Sequence, residues 1–276
     1  MSDPEQTPNG AETADGAELP AVLPVLPLRG SVLFPGVVLP VLVGRKPSRR
    51  LIAETLDGDR LVAVTALHSS QIEEPTAEDL FESATLARIL KVIRLPNGNL
   101  NVIVQGVRRV KLTDIREPAP YFRATCVEVD EPEREVDVEI QAQMVSARRM
   151  LTRLGELPPN IPTELEGLVQ AATRPGALAD VLAAHVDTTV EAKQKVLETL
   201  DPAQRLPAVL AQVSHQVQIL ELSQKIETEV QGEIDRGQRE IYLRERLRAI
   251  TRELGEEEDD GEREEHAQRS EDGGTP

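Results

Sequence analysis

The chain has 276 residues and a formal net charge of −17, and most of that charge lies at its two ends. Residues 1–18 contribute −5 and residues 256–276 contribute −8, so the chain between them carries only −4. A segment with nearly balanced charge has no basic field to attract a polyanion, so we expect no nucleic acid partner. Only 2% of the residues are aromatic, which predicts an aliphatic core.

Both ends are rich in Gly, Pro, Ser, Thr and acidic residues and have almost no large apolar residues. Such a composition buries too little apolar surface to offset the entropy of the chain. We therefore predict disordered acidic tails over residues 1–18 and 256–276, with a solubilising role favoured over a docking motif.

The sequence contains no apolar run long enough to span a membrane and no basic segment followed by an apolar one at its start. A single cysteine, Cys126, excludes an internal disulfide and suits a reducing compartment. We expect a cytoplasmic protein with no membrane partner.

Residues 19–132 have the pattern of a β-rich domain, in which Val-rich runs alternate with turn residues. Asn97-Gly98 predicts a tight hairpin, because both residues accept positive φ angles. One helix interrupts the strands at 46–58, with Pro47 at its start. The predicted strands lie at 37–43, 60–66, 84–95, 100–106, 107–115 and 121–129.

The stretch LPVLPLRGSVLFPGVVLPVLVGR, residues 23–45, is apolar but interrupted by prolines. Proline cannot donate to a strand ladder, so Pro24 and Pro27 indicate an edge strand. Pro35-Gly36 predicts a turn, and Pro40 indicates a second edge or a bulge.

Residues 133–201 change to a helical period, and residues 202–255 form the longest predicted helix. Gly232 and Gly237 each cost about 1 kcal/mol relative to Ala, so we expect that helix to bend, fray or break between them. The shorter predicted helices lie at 135–154, 162–172, 175–186 and 189–200. Two apolar seams with alternating spacings of four and three are typical of helix association: Leu206, Leu210, Val213, Val217 and Leu220, then Leu243, Leu247, Ile250 and Leu254.

Catalytic motifs are missing from this sequence. No lysine follows a glycine, which excludes a phosphate-binding loop of the Gly-Lys-Ser/Thr type, and no Gly-x-Ser-x-Gly motif occurs. His68, His185, His215 and His266 are isolated and lack zinc-ligand spacing. His185 is interpreted as a helix cap and Cys126 as a buried strand residue. We expect no catalytic residue, no metal and no cofactor.

The segment PVLPLRGSVLFPGVVLPVLVGR resembles the opening of the N-terminal domain of the ATP-dependent Lon proteases. Further segments resemble that family in the same order: DLF at 79–81, LPNGNLNVIVQGVRRV at 95–110, LADVLAAHV at 178–186, KQKVLETLD at 193–201 and QREIYLRERLRAITRELGE at 238–256. The resemblance implies an α+β fold, with a mostly antiparallel, PUA-like β pseudobarrel followed by an all-α subdomain and one long C-terminal helix.

The resemblance also implies that the chain captures unfolded or degron-bearing proteins for ATP-driven degradation, and that it self-associates through the long helix or in a ring. After Gly255 the sequence departs from the family, so we expect neither ATPase nor Ser-Lys peptidase activity. The acidic segment KIETEVQGEIDRG stands where the family is usually basic, which puts in doubt any contact that needs positive charge there.

Two functions remain open on the sequence: the substrate-recognition region of a Lon protease, or a stand-alone binding protein acting as an adaptor or holdase. Both need exposed apolar surface, since unfolded proteins share little else. Leu33, Phe34 and Val37, around the Phe34-Pro35-Gly36 turn, are the candidate substrate contacts. The alternative interpretation is that Phe34 belongs to the core.

Overall fold

The computed structural model describes residues 20–116, 120–132, 135–157 and 163–271. The expectation for residues 1–18 lies outside this part of the chain. Internal contacts divide the protein into two units, Met1–Ile219 and Leu220–Pro276.

The elements follow one another as six strands and a helix, then helices only. The strands are β1 (Val22–Leu28), β2 (Val38–Val43), β3 (Leu61–Ala66), β4 (Ser83–Arg94), β5 (Leu100–Arg116) and β6 (Arg123–Glu128). The helices are α1 (Lys46–Leu56), α2 (Val138–Gly155), α3 (Thr163–Ala171), α4 (Pro175–His185), α5 (Val190–Glu198) and α6 (Pro202–Glu271).

The six strands form one sheet in the order β2-β5-β4-β3-β1-β6, and a further β5–β6 pairing closes five of them into a barrel. Only β1 and β3 are parallel, and every other pairing is antiparallel. β2 lies outside the closed ring and pairs with the first half of β5. The α+β class with a mostly antiparallel pseudobarrel is thereby confirmed.

The Asn97-Gly98 hairpin is confirmed, since it joins antiparallel β4 and β5. Gly98 has a φ of 79°, and the Leu95 N–H donates to the Asn99 carbonyl at 2.9 Å. A turn with positive φ needs residues that tolerate it, which explains why this local signal was sufficient.

β5 is one strand of 17 residues, whereas two separate strands were expected over 100–106 and 107–115. A single Gly106 at the junction does not stop the ladder, because β4 pairs on both sides of it with a register shift. The first half of β5 binds β2 and the second half binds β6.

The prolines of β1 do not mark an edge strand, because β1 lies between β3 and β6. Each neighbour covers only half of it: β6 pairs with the first half and β3 with the second. Pro24 faces Arg123 at a ladder position that makes no hydrogen bond, since its flanking residues carry the bonds. The Leu28 carbonyl accepts from the Leu67 N–H, and by alternation Pro27 turns its nitrogen to the side that β6 does not reach. Each proline therefore lies at a locally unpaired position.

The helical subdomain follows the predicted helices closely. Asp137 caps α2 by accepting from the Ile140 N–H, and Thr189 caps α5 by accepting from the Ala192 N–H. Their apolar faces form an aliphatic core with residues of the barrel. This shared core holds the subdomain against the barrel.

α6 runs without interruption from Pro202 to Glu271. The expected break near Gly232 and Gly237 is corrected, since the helix continues through both glycines. Residues 256–271 also belong to α6, and the disordered tail over residues 256–276 stays a prediction. These stretches are rich in Glu, Gln and Arg, which favour helix strongly enough to absorb isolated glycines. Exposed pairs four residues apart, such as Gln231–Asp235 and Lys225–Glu229, add small increments. Across the described ranges, no helix is long and apolar enough to cross a membrane.

Candidate functional site

The Phe34-Pro35-Gly36 turn is not an exposed patch. Val37 donates its N–H to the Phe34 carbonyl, and Gly36 has a φ of 76°, so the predicted turn is formed. The side chains of Leu33, Phe34 and Val37 are nevertheless 1%, 0% and 4% exposed. Phe34 and Val37 belong to the core shared with the helices, and Leu33 belongs to the barrel core. The helices that pack against this end of the barrel bury Phe34 and Val37, whereas Leu33 is buried inside the barrel. Phe34 is therefore a core residue, as the alternative interpretation had it.

A buried ion cluster lies where the barrel meets the helices. Arg109 on β5 donates to both carboxylate oxygens of Asp180 on α4, at 2.8 and 2.6 Å. Arg205 on α6 donates to Asp180 at 2.9 Å and to Glu131 at 2.6 Å. The guanidinium of Arg109 also donates to the Leu197 carbonyl at 2.9 Å.

The charges of this cluster balance, with two guanidinium groups facing two carboxylates. Burial disfavours the charged form of Arg205, but Asp180 and Glu131 outweigh it, so the pKa of Arg205 is raised. The cluster therefore fixes the barrel to the helical subdomain, and the sequence analysis missed it.

Cys126 and His185 have the structural roles that were predicted. Cys126 is buried in β6, and burial raises the pKa of its thiol to about 11. His185 ends α4, with its Nδ1 at 2.8 Å from the Val181 carbonyl. Among the described residues, no group of His, Cys, Asp and Glu side chains is arranged to hold a metal ion.

Two cavities, of about 710 and 400 Å³, adjoin each other beside the second half of β1, which β6 leaves uncovered. Pro27, Arg29, Arg45 and Ser48 line both of them. The larger cavity also includes Glu73 and Glu74, whereas the smaller one is completed by β2 residues from Leu39 to Val43 and has no acidic residue in its lining. The smaller cavity is therefore basic with apolar walls.

The donors in these cavities lack anionic partners. Arg45 donates to the Pro27 carbonyl at 3.5 Å, and Arg29 donates to the Glu73 carbonyl at 3.0 Å. Within the described part of the chain, neither guanidinium has a carboxylate at ion-pair distance. Burial and then the positive charge of Arg29 lower the pKa of Arg45.

Ser48 adds a further donor at the start of α1. It is only 8% exposed, yet its hydroxyl makes no hydrogen bond with any residue that the structure describes. The first N–H groups of a helix have no intrahelical acceptor, and Arg45 provides no side-chain cap for α1. The start of α1, the two arginines and Ser48 thus form a concentration of donors.

An apolar surface lies next to the smaller cavity, on the outer face of β2, β5 and β4. We call it the outer-face patch, and it consists of Val38, Pro40, Leu42, Ile93 and Ile103. Leu42 is 67% exposed, and alternate residues of β2 face the barrel core instead. Pro40 lies opposite Ile103, whereas Leu42 and Ile93 lie on either side of Asn101. β2 pairs only with β5, so the prediction that Pro40 marks an edge is confirmed.

A profile described as the ATP-dependent protease La (LON) substrate-binding domain matches residues 22–215. The chain belongs to the Lon substrate-binding domain family. Lon protease 2 of Myxococcus xanthus is 40% identical over 239 residues, which are 87% of this chain and 29% of that protein. The Lon protease of Anaeromyxobacter dehalogenans is 39% identical over 86% of this chain and 28% of its own.

Solved structures show the same fold. The N-terminal domain of Mycobacterium avium complex Lon protease superposes with a TM-score of 0.56 at 24% identity, covering 70% of this chain and 98% of that domain. The Lon N-terminal domain protein of Xanthomonas campestris gives a TM-score of 0.52 at 18% identity, over 69% and 97% of the two chains. The chain spans less than a third of the length of the curated Lon relatives named above, and it matches their substrate-binding region.

Proposed function

We propose that this Lon domain is the substrate-recognition and assembly region of a cytoplasmic, ATP-dependent Lon protease. It binds unfolded or degron-bearing proteins, and it carries out no catalysis and uses no nucleic acid partner. The outer-face patch is the observation that carries the binding role. Unfolded proteins expose apolar segments, and apolar side chains that stay exposed next to a cavity are the kind of surface that binds them.

Binding at this patch uses side chains rather than strand addition. On β2 the Gly106 N–H donates to the Val37 carbonyl, so by alternation the backbone groups of Val38, Pro40 and Leu42 face outward. Pro40 has no N–H to offer in the middle of this edge, which opposes pairing with an incoming strand. An apolar client side chain still finds Leu42 and its neighbours exposed.

Assembly is supported by the second unit. Its described side chains include two exposed apolar series, one with a spacing of four residues (Leu222, Ile226, Val230 and Ile234) and one with spacings of four, three and four (Leu243, Leu247, Ile250 and Leu254). Helices with such seams are stabilised by burying them against another helix. A stand-alone adaptor has no need of this surface, so the seam favours the assembly role over that alternative.

The binding role is tested with a permanently unfolded protein, reduced and carboxymethylated, as the client. We expect Leu42→Asp and Ile93→Asp each to weaken its binding about tenfold in fluorescence anisotropy, because a charge is placed in an apolar contact. Val127→Asp, on exposed β6, is the matched control and retains binding. Equal binding by all the variants would contradict the proposed role of the patch. Purified chain is also expected to hydrolyse neither ATP nor peptide.

A further inference from the structure

We propose that the smaller cavity binds the free C-terminal carboxylate of a client whose last residue is apolar. This inference rests on the proposed function and names the kind of client end that the site takes. It is carried by Arg29 and Arg45, which pair with no carboxylate among the residues described, by Ser48, and by the apolar wall that β2 supplies.

The donors of the cavity suit an acceptor-only group. Among the residues described, Arg29 and Arg45 donate to backbone carbonyls and to no carboxylate, and the hydroxyl of Ser48, a residue that is 8% exposed, makes no hydrogen bond. A carboxylate accepts hydrogen bonds through both oxygens and can bind arginine in a bidentate manner. The uncapped start of α1 favours negative charge at the same place.

β1 and β2 border the cavity, and each has a proline there that lacks a backbone N–H, so neither proline offers a donor to an anion. Pro27 turns its nitrogen toward the side of β1 left open by β6, and Pro40 lies on the free edge of β2. Both residues line this cavity. The side-chain donors of the cavity lie at the arginine end, and this is where an anion binds.

The remaining walls of the cavity determine which C-terminal side chain fits beside the carboxylate. Leu26, Leu39 and Leu42 line the cavity, whose volume of about 400 Å³ falls within the common range of ligand pockets. No acidic residue lines it, so an anion meets no like charge there. The larger cavity includes Glu73 and Glu74, which makes it the poorer site for a carboxylate. An apolar side chain beside a terminal carboxylate complements both parts of the smaller cavity.

The decisive comparison uses one short peptide ending in Leu, labelled at its N-terminus, with either a free carboxyl or an amide at its C-terminus. Fluorescence anisotropy with the full chain is expected to give about tenfold tighter binding for the free acid, because only the acid forms charge-assisted hydrogen bonds. Equal affinities, within about twofold, would overturn the proposal.

Variants locate the contact. Arg29→Met and Arg45→Met are expected to lower the affinity for the acid to that of the amide, and Ser48→Ala to lower it several-fold. Arg50→Met is the matched control, since Arg50 lies on the same helix, pairs with Glu54 and lines neither cavity. A preference for the acid that survives both cavity substitutions would place the carboxylate elsewhere and overturn the proposal.

Two further measurements distinguish this inference from binding of small free anions and from failure of the proposed function. If inorganic phosphate raises the thermal unfolding midpoint through Arg45 while acid and amide bind equally, the cavity holds small free anions and the proposal fails. A different result would separate the two proposals. The unfolded client would bind Arg45→Met as tightly as the unmodified chain and would fail to bind Ile93→Asp, while the acid and amide peptides bound equally. In that case the proposed function stands and only this inference fails. Absence of binding to any client or peptide would overturn both.

Discussion

Arg109 on β5 and Asp180 on α4 face each other with two parallel hydrogen bonds, of 2.8 and 2.6 Å, although 71 residues separate them. Both side chains are almost fully buried, and Arg205 closes the group from α6. A bidentate pair in a dry interior tolerates little displacement. Directional hydrogen bonds therefore hold the barrel against the helical subdomain, in addition to the apolar contacts.

Asp180→Asn removes the negative charge that both arginines share. Two buried guanidinium groups are then left with Glu131, which is partly exposed, as their carboxylate. We expect a loss of about 3–5 kcal/mol in the free energy of unfolding, because uncompensated buried charge is costly. Urea denaturation of the two proteins measures this difference.

Asp114→Asn provides the matched control, since Asp114 pairs with Arg116 at 2.8 Å on the surface. Asn also accepts the φ of 48° at this position. The expected change is within about 0.5 kcal/mol, because exposed ion pairs contribute little. Similar losses in the two variants would contradict a special role for the buried cluster.

Gly106→Ala tests the close approach of β5 to the Phe34 turn. A Cβ atom at this position would lie 2.2 Å from the Phe34 carbonyl oxygen, which is backbone and cannot swing away. We expect the free energy of unfolding to fall by about 1–3 kcal/mol or more through overpacking. Gly167→Ala, in α3 with nothing within 4 Å of its Cβ, should instead raise stability by up to about 1 kcal/mol. Thermal unfolding of both variants checks the opposite signs.

Cys126 is expected to react slowly in the folded chain. Burial raises the pKa of its thiol from 9.0 to about 11, which lowers the thiolate fraction at pH 8.5 about 75-fold. Alkylation by iodoacetamide should therefore be slower than in urea by at least this factor. A native rate equal to the unfolded rate would show that the thiol is accessible and ionised normally.

The same shift predicts how stability changes with pH. Between pH 9 and 11 the unfolded chain has lost the Cys126 proton while the folded chain retains it, so the unfolded state binds fewer protons and stability falls as pH rises. The contribution is fully present below pH 9. Cys126→Ala should show a shallower loss of thermal midpoint across this interval, measured against the unmodified chain.

Local signals predicted the parts of the fold that local chemistry controls. Asn97-Gly98 specifies its hairpin because the turn requires a positive φ angle at Gly98. The starts of α2 and α5 follow from Asp137 and Thr189, which satisfy the first N–H groups within a few residues. The ion cluster has no such signal: Arg109 looks like the charged residue of a half-buried strand until α4 and α6 pack upon it.

The candidate site depends on topology in the same way. Arg29 and Arg45 each follow a strand, and only the incomplete cover of β1 by β6 brings them to one cavity with Ser48. The position of Phe34 could not be predicted from its local sequence either, since an apolar turn residue can lie on the surface or, as here, in the core. Its position was decided by the helices that pack on that end of the barrel, which no pattern around Phe34 encodes.

Self-association through the second unit is predicted to depend on its exposed apolar positions. Leu243→Asp and Leu247→Asp, combined, place two charges on one seam whose residues are more than half exposed in the single chain. We expect the mass measured by light scattering to shift from an oligomer toward the monomer, because a seam that buries carboxylates loses its apolar stabilisation. Gln238→Asp with Ala249→Asp, which adds the same charge at exposed positions of this helix away from the seam, provides the control and should retain the oligomer. A monomeric unmodified chain would instead favour the stand-alone binding role, because the seam would then have no partner to bury it.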